Sequence, residues 1–223
     1  MYLSTTFSIF DDYLDFFSNL DIRVLHLGID TDLFKPSAED RIEYFNLLYV
    51  GRLSRLKQIE VAIDTIVFLK NNKIKCKLNI IGPISDEVYY KELLKRVEEN
   101  KCTDSIEFLG SKSNLELVSY YQKSHLLLFP SAHESFGMVM TEAMACGVPV
   151  VALKGAGGPD EVVTNGIDGI LTNKDSFSHD VLEILKSNEK LTSYSKAARL
   201  KILNKFSLSV TTNELKKSIQ DAL

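Results

Sequence analysis

The sequence predicts an α/β fold, a doubly wound parallel sheet followed by extra carboxyl-terminal helices. Two observations carry this. From Asn46 onward, apolar runs that read as buried strands alternate with helical patterns, each long enough to cross from one parallel strand to the next. After Leu171 only helical periodicity remains. With 223 residues, 45% of them apolar, the chain can bury one sizeable core.

Strands are expected at Leu47–Val50, Lys77–Ile81, Ser105–Leu109, Leu126–Phe129, Val148–Leu153 and Gly169–Leu171. Helices are expected between them at Lys57–Asn71, Asp86–Asn100, Asn114–Lys123, Phe136–Cys146 and Pro159–Asn165. Three more follow, at Asp175–Ser187, Glu189–Phe206 and Ser209–Ala222. Residues 1–45 read differently: Tyr2 to Phe7 as a strand, Ile9 to Asn19 as a helix and Ile22–His26 as a strand.

The functional signal is concentrated in one βαβ unit. Glu134 falls in the loop at the carboxyl end of the strand Leu126–Phe129, where open α/β sheets bind ligands. Glu142 lies eight positions later, on the following helix, so both acids can face one crevice. The loop-to-helix junction offers the unpaired backbone N–H groups of Phe136, Gly137 and Met138, which suit an anion such as a diphosphate. A carboxylate one to two turns deeper matches the two hydroxyls of a vicinal diol, such as a ribose. Arg52 and Lys57 follow the strand Leu47–Val50 and Gly51. A lysine near a helix start opposes the helix dipole unless an anion is present, so this pair makes a diphosphate clamp.

The segment from Glu134 to Val151, with seven residues between its two glutamates, resembles the E-x7-E signature of retaining GT-B glycosyltransferases. The likeness is to the large family 4, glycosyl transferases group 1, which includes sucrose synthase-like and mannosyltransferase enzymes. Gly51-Arg52-Leu53-Ser54-Arg55-Leu56-Lys57 resembles that family's G-R-L-x-x-x-K segment, whose Arg and Lys bind the donor diphosphate. Ile81-Gly82-Pro83 resembles its second glycine turn, and Gly157-Gly158-Pro159-Asp160-Glu161 the segment that closes round sugar and phosphates. Ser111 occupies the position that contacts the base through backbone, so uracil, guanine and adenine donors stay undistinguished.

The resemblance implies a donor-binding, carboxyl-terminal Rossmann-like domain at residues 46–223, whose last helix packs back toward the amino-terminal side. Residues 22–45 become an interdomain connection and residues 1–21 the remnant of an acceptor domain missing from the chain. Within that connection, Leu27 stands where the family has Asn. The implied donor is a UDP-, GDP- or ADP-sugar, bound without a metal or other cofactor and used for retaining transfer of a hexosyl group to an unspecified acceptor. Glu134 positions the sugar and supports it electrostatically, Arg52 and Lys57 stabilise the departing diphosphate, and Glu161 orders its loop. A truncated binding-only module is the competing reading, and the isolated chain is expected to be inactive.

Composition removes other classes. Lys and Arg total 26 against 30 Asp and Glu, a net charge of −4 with no general affinity for nucleic acid. Cys76, Cys102 and Cys146 have no metal-ligand spacing and no disulfide pattern, which points to reduced thiols and a cytoplasmic location. No apolar run is long enough for a membrane span. Asp30-Thr31-Asp32 has the form of a metal-binding D-x-D but leads into a linker-like stretch, and His133 reads as surface filler beside the acid. The lysine-rich run from Lys186 to Lys205 reads first as a solvated helix face and second as a patch for an anionic membrane surface.

Overall fold

The computed structural model describes residues 2–4, 22–37 and 44–221. A small parallel pair joins β1 (Tyr2–Ser4) to β2 (Ile22–Val24). The main body runs β3 (Phe45–Val50), α1 (Ile59–Asn71), β4 (Cys76–Ile81), α2 (Glu87–Glu99), β5 (Ile106–Phe108), α3 (Asn114–Lys123) and β6 (Leu126–Phe129). It continues through α4 (Met138–Ala145), β7 (Val150–Leu153), α5 (Gly158–Val162) and β8 (Gly169–Thr172). Three helices close it: α6 (Phe177–Leu185), α7 (Asn188–Lys201) and α8 (Leu208–Asp221). The sheet order is β5-β4-β3-β6-β7-β8, with every pairing parallel.

This order explains why the strands carry continuous apolar runs. Side chains alternate across a strand, so Leu47 and Tyr49 enter the core on one face of the sheet while Leu48 and Val50 enter the core on the other. β6 divides in the same way, with Leu126 and Leu128 against Leu127 and Phe129. One core draws on α1, α2 and α6, the other on α3, α4 and α7, so both faces are covered. Strand succession moves outward from β3 to β5 and then returns to β6 on the opposite side of β3. The carboxyl ends of β3 and β6 therefore flank the topological switch point, where α/β sheets leave a crevice.

Element boundaries shift where local chemistry intervenes. Asn114–Lys123 forms as expected because Ser113 and Glu116 make a capping box. The helix expected from Lys57 begins instead at Ile59: Arg55–Lys57 is a separate 3₁₀ turn, and Gln58 takes a left-handed φ of 46°. The Tyr89 hydroxyl accepts from the Ile59 N–H at 2.7 Å and fixes that start. The helix expected at Phe136 begins at Met138, because Gly137 turns the chain with φ of 85°. The helix expected at Glu189–Phe206 ends in a π-helical turn, Ile202–Phe206, which buries Phe206 and lets its carbonyl accept from the Ile29 N–H at 2.7 Å.

Residues 26–36 are fastened to this body. The Arg199 guanidinium donates to the carbonyls of Thr31, Phe34 and Ala145, while Asp30 accepts from the N–H groups of Asp32 and Leu33. Asp30 thus caps a turn, which gives the D-x-D pattern a structural task. α8 packs back on residues 23–29: Thr211 donates to the His26 carbonyl, and Arg23 pairs with Asp221 at 3.2 Å. Two cations of the lysine-rich run, Arg199 and Lys201, point inward, leaving Lys190, Lys196 and Lys205 exposed. The helix expected at Ile9–Asn19 and the rest of Met1 to Asp21 beyond β1 lie outside the described residues.

Candidate functional site

A cavity of about 390 Å³ opens at the switch point. Gly51, Arg52 and Lys57 reach it from the loop after β3, Glu134 and Ser135 from the loop after β6, and Phe136 to Val139 from the start of α4. The sequence-derived clamp and the first glutamate are thereby brought into one space. Lys57 Nζ lies 2.6 Å from Glu134 Oε2, both side chains being largely shielded from solvent at 15% and 22% exposure. Arg52 is exposed, and its guanidinium makes no hydrogen bond or ion pair among the described residues. At the helix start, Gly137 offers no side-chain cap, so the first N–H groups of α4 face the cavity unused.

Backbone contacts between loops set this geometry. An added Cβ on Gly82 would fall 2.0 Å from the Gly51 carbonyl oxygen, so Gly82 lets two loops touch behind the cavity and does not line it. Likewise, a Cβ on Gly158 would sit 2.4 Å from the Phe136 carbonyl oxygen. The Glu134 peptide is clamped between the same loops, its N–H donating to Ala156 at 2.8 Å and its carbonyl accepting from Gly158 at 2.7 Å. Asp160 accepts from the N–H groups of Gly155 and Gly157. The N–H groups of Gly157 and Gly158 are therefore committed within the protein. The Asp160 carboxylate thereby fills the turn between Gly155 and Gly157.

Glu142 lies one turn beyond Met138 and is not among the residues that line the cavity. Its Oε2 accepts from the buried Tyr121 hydroxyl at 2.8 Å, the one hydrogen bond of its side chain among the described residues. Burial raises its pKa above the ordinary glutamate range, and the Tyr121 hydrogen bond opposes that shift. A carboxyl with a raised folded-state pKa contributes stability below the unfolded value of about 4.3, and that contribution is lost as pH rises through the folded pKa. Glu142→Gln should therefore gain stability relative to the natural protein between pH 4 and pH 7, measured by urea unfolding at both values. A gain that shrinks with rising pH would contradict the burial effect.

Glu161 faces His26, with Oε2 and Nε2 3.5 Å apart, and His26 packs between Phe136 and Phe206. The acid thus links its loop to residues 26–36. Ser111 is exposed, one residue after Gly110, whose carbonyl accepts from Gly82 N–H at 2.9 Å. His133 is exposed and contributes only its carbonyl, which accepts from Ser131.

Sequence reasoning missed four participants. Ser131 lies 3.3 Å from Lys57 Nζ, Tyr49 donates to the Arg52 carbonyl at 3.1 Å, and Leu27 and Val139 line the cavity. Tyr49 and Ser131 read as core and loop filler, and only the three-dimensional meeting of β3 and β6 reveals them. Leu27 was visible only as a departure from a motif. Among the described residues no cluster of three His, Cys, Asp or Glu is placed to hold a metal ion.

Comparison with known proteins agrees with this geometry. The chain is 32% identical over 169 residues to a D-inositol 3-phosphate glycosyltransferase of Mycolicibacterium smegmatis, covering 72% of this chain and 37% of that protein. Anabaena HepE in complex with UDP and glucose superposes with a TM-score of 0.87 at 21% identity, covering 98% of this chain and 62% of that one. The carboxyl-terminal domain of a group 1 glycosyl transferase from Francisella tularensis superposes with a TM-score of 0.73 at 20% identity, covering 81% of this chain and 100% of that domain. The fold is that of the GT-B glycosyltransferases. The chain spans less than two fifths of the curated relative it matches. The family model described as glycosyl transferases group 1 matches residues 31–201, and the chain belongs to that family.

Proposed function

We propose that this chain binds a nucleoside diphosphate sugar at the switch point and, joined to an acceptor-binding domain, serves retaining transfer of a hexosyl group. The observation that carries the reading is the convergence of Arg52, Lys57 and the uncapped start of α4 on one cavity that also holds Glu134. Preorganised cations and helix N–H groups stabilise charge that develops on a departing diphosphate. Glu134, held by its own backbone, lies beside them for the sugar. Glu142, oriented by Tyr121, keeps Oε1 for a ribose hydroxyl. UDP, GDP and ADP remain alternative nucleotides, and no metal is assigned to the reaction. The three free cysteines suit a reducing, cytoplasmic setting, and the outward lysines of α7 suit peripheral contact with an anionic membrane.

Calorimetric titration with UDP-, GDP- and ADP-sugars, with and without magnesium, tests the donor assignment: at least one binds in metal-free buffer. Failure of all three would remove it. In a protein that includes the acceptor-binding half, the anomeric configuration is retained, and Glu134→Gln lowers turnover while nucleotide binding survives. An inverted product seen by NMR would overturn the retaining assignment.

A further inference from the structure

Lys57 already has a partner before any ligand arrives. Its ammonium meets Glu134 Oε2 at 2.6 Å and the Ser131 hydroxyl at 3.3 Å. Ser131 is itself buried and donates its proton to the His133 carbonyl at 2.9 Å, so its oxygen presents a lone pair to Lys57. Glu134 is fixed from behind by the Ala156 carbonyl and the Gly158 N–H. The guanidinium of Arg52, the other cation of the cavity, makes no hydrogen bond or ion pair among the described residues. The two cations therefore stand in different states. Arg52 is available at once, whereas Lys57 is held by the same carboxylate that the proposed reaction assigns to the sugar.

Resting on the donor-site reading above, we infer that Ser131 and Glu134 form a holding site for Lys57, from which the donor diphosphate draws the ammonium. An ammonium is a point charge on a flexible stem, and Lys57 ends a short turn ahead of the left-handed Gln58 rather than sitting inside α1. A diphosphate brings more negative charge to that ammonium than one carboxylate does. As Lys57 moves toward the phosphates, Glu134 loses its counter-ion and its oxygens become free to accept from sugar hydroxyls. Diphosphate binding thus uncovers the acid that recognises the sugar, and Ser131 is a positioning residue acting through Lys57.

Removing a negative charge from the cavity is therefore expected to tighten nucleotide binding. UDP, GDP and ADP are titrated calorimetrically into the natural protein, and the tightest binder is carried into four variants: Glu134→Gln, Ser131→Ala, Lys57→Met and Glu134→Gln/Lys57→Met. Glu134→Gln is expected to bind the nucleoside diphosphate about three- to tenfold more tightly, the size of a partly shielded ion pair no longer broken. Ser131→Ala moves the affinity the same way by less. In the Lys57→Met background the gain from Glu134→Gln disappears. With the nucleotide sugar in place of the diphosphate, Glu134→Gln forfeits the extra affinity that the sugar provides. Unchanged or weaker diphosphate binding by Glu134→Gln would overturn the inference, as would a gain that persists without Lys57. Absence of diphosphate binding by the natural protein would instead overturn the donor-site reading on which it rests.

Discussion

Arg52→Ala/Lys57→Ala is expected to weaken nucleoside diphosphate binding by about 3 kcal/mol or more, roughly 100-fold or greater, while leaving nucleoside binding nearly unchanged. Each cation supplies a charge-assisted contact worth about 1.5–3 kcal/mol. Removing Lys57 also strips Glu134 of its ion-pair partner at 2.6 Å and leaves a carboxylate facing the phosphates. Arg52 alone should be replaceable without loss of thermal stability, since among the described residues its guanidinium makes no hydrogen bond or ion pair and the Tyr49 hydroxyl bonds only its carbonyl. Equal losses for nucleoside and diphosphate, measured by calorimetry, would place both cations away from the phosphates.

The largest stability effect is expected at Asp168, far from this chemistry. Asp168 is 3% exposed, pairs with Lys201 Nζ at 3.0 Å and accepts from the Thr164 N–H at 2.8 Å. Burial lowers the Lys201 pKa, and the Asp168 contact pushes it back up. Asp168→Ala leaves the ammonium shielded without its counter-ion and should cost about 3–5 kcal/mol. Lys201→Met in turn leaves the buried Asp168 carboxylate with the Thr164 N–H but without its counter-ion, and should cost somewhat less. Urea unfolding of both variants checks the pair. A larger loss from Lys201→Met would reverse the assignment of which group bears the desolvation penalty.

The fold was legible in the sequence because burial on both faces of a parallel sheet leaves continuous apolar runs, as in Leu126–Phe129. The helix expected at Asn114–Lys123 forms at those residues, where Ser113 and Glu116 make a capping box. Helix starts were less legible where a glycine or a distant group decides them. Gly137 delays α4 through its left-handed φ, and Tyr89, 30 positions after Ile59, sets the start of α1. Within the site, Arg52, Lys57 and Glu134 were readable from spacing because each follows a strand end on the same edge of the sheet. The hold of Ser131 on Lys57 and the turn of Glu142 toward Tyr121 depend on contacts across different loops. No local pattern encodes those.

The close stacking of Gly51, Gly82 and Gly110 has a consequence for anyone wishing to reshape ligand preference. Behind the crevice, Gly82 packs its peptide directly on the Gly51 carbonyl and donates its N–H to the Gly110 carbonyl at 2.9 Å. A designer therefore has nothing to substitute there: an introduced methyl at Gly82 meets a carbonyl at 2.0 Å and taxes the scaffold before it touches a ligand. Tunable positions lie among the lining side chains instead, at Leu27, Met138 and Val139. Selectivity libraries confined to those three positions should keep the protein folded while changing what it holds.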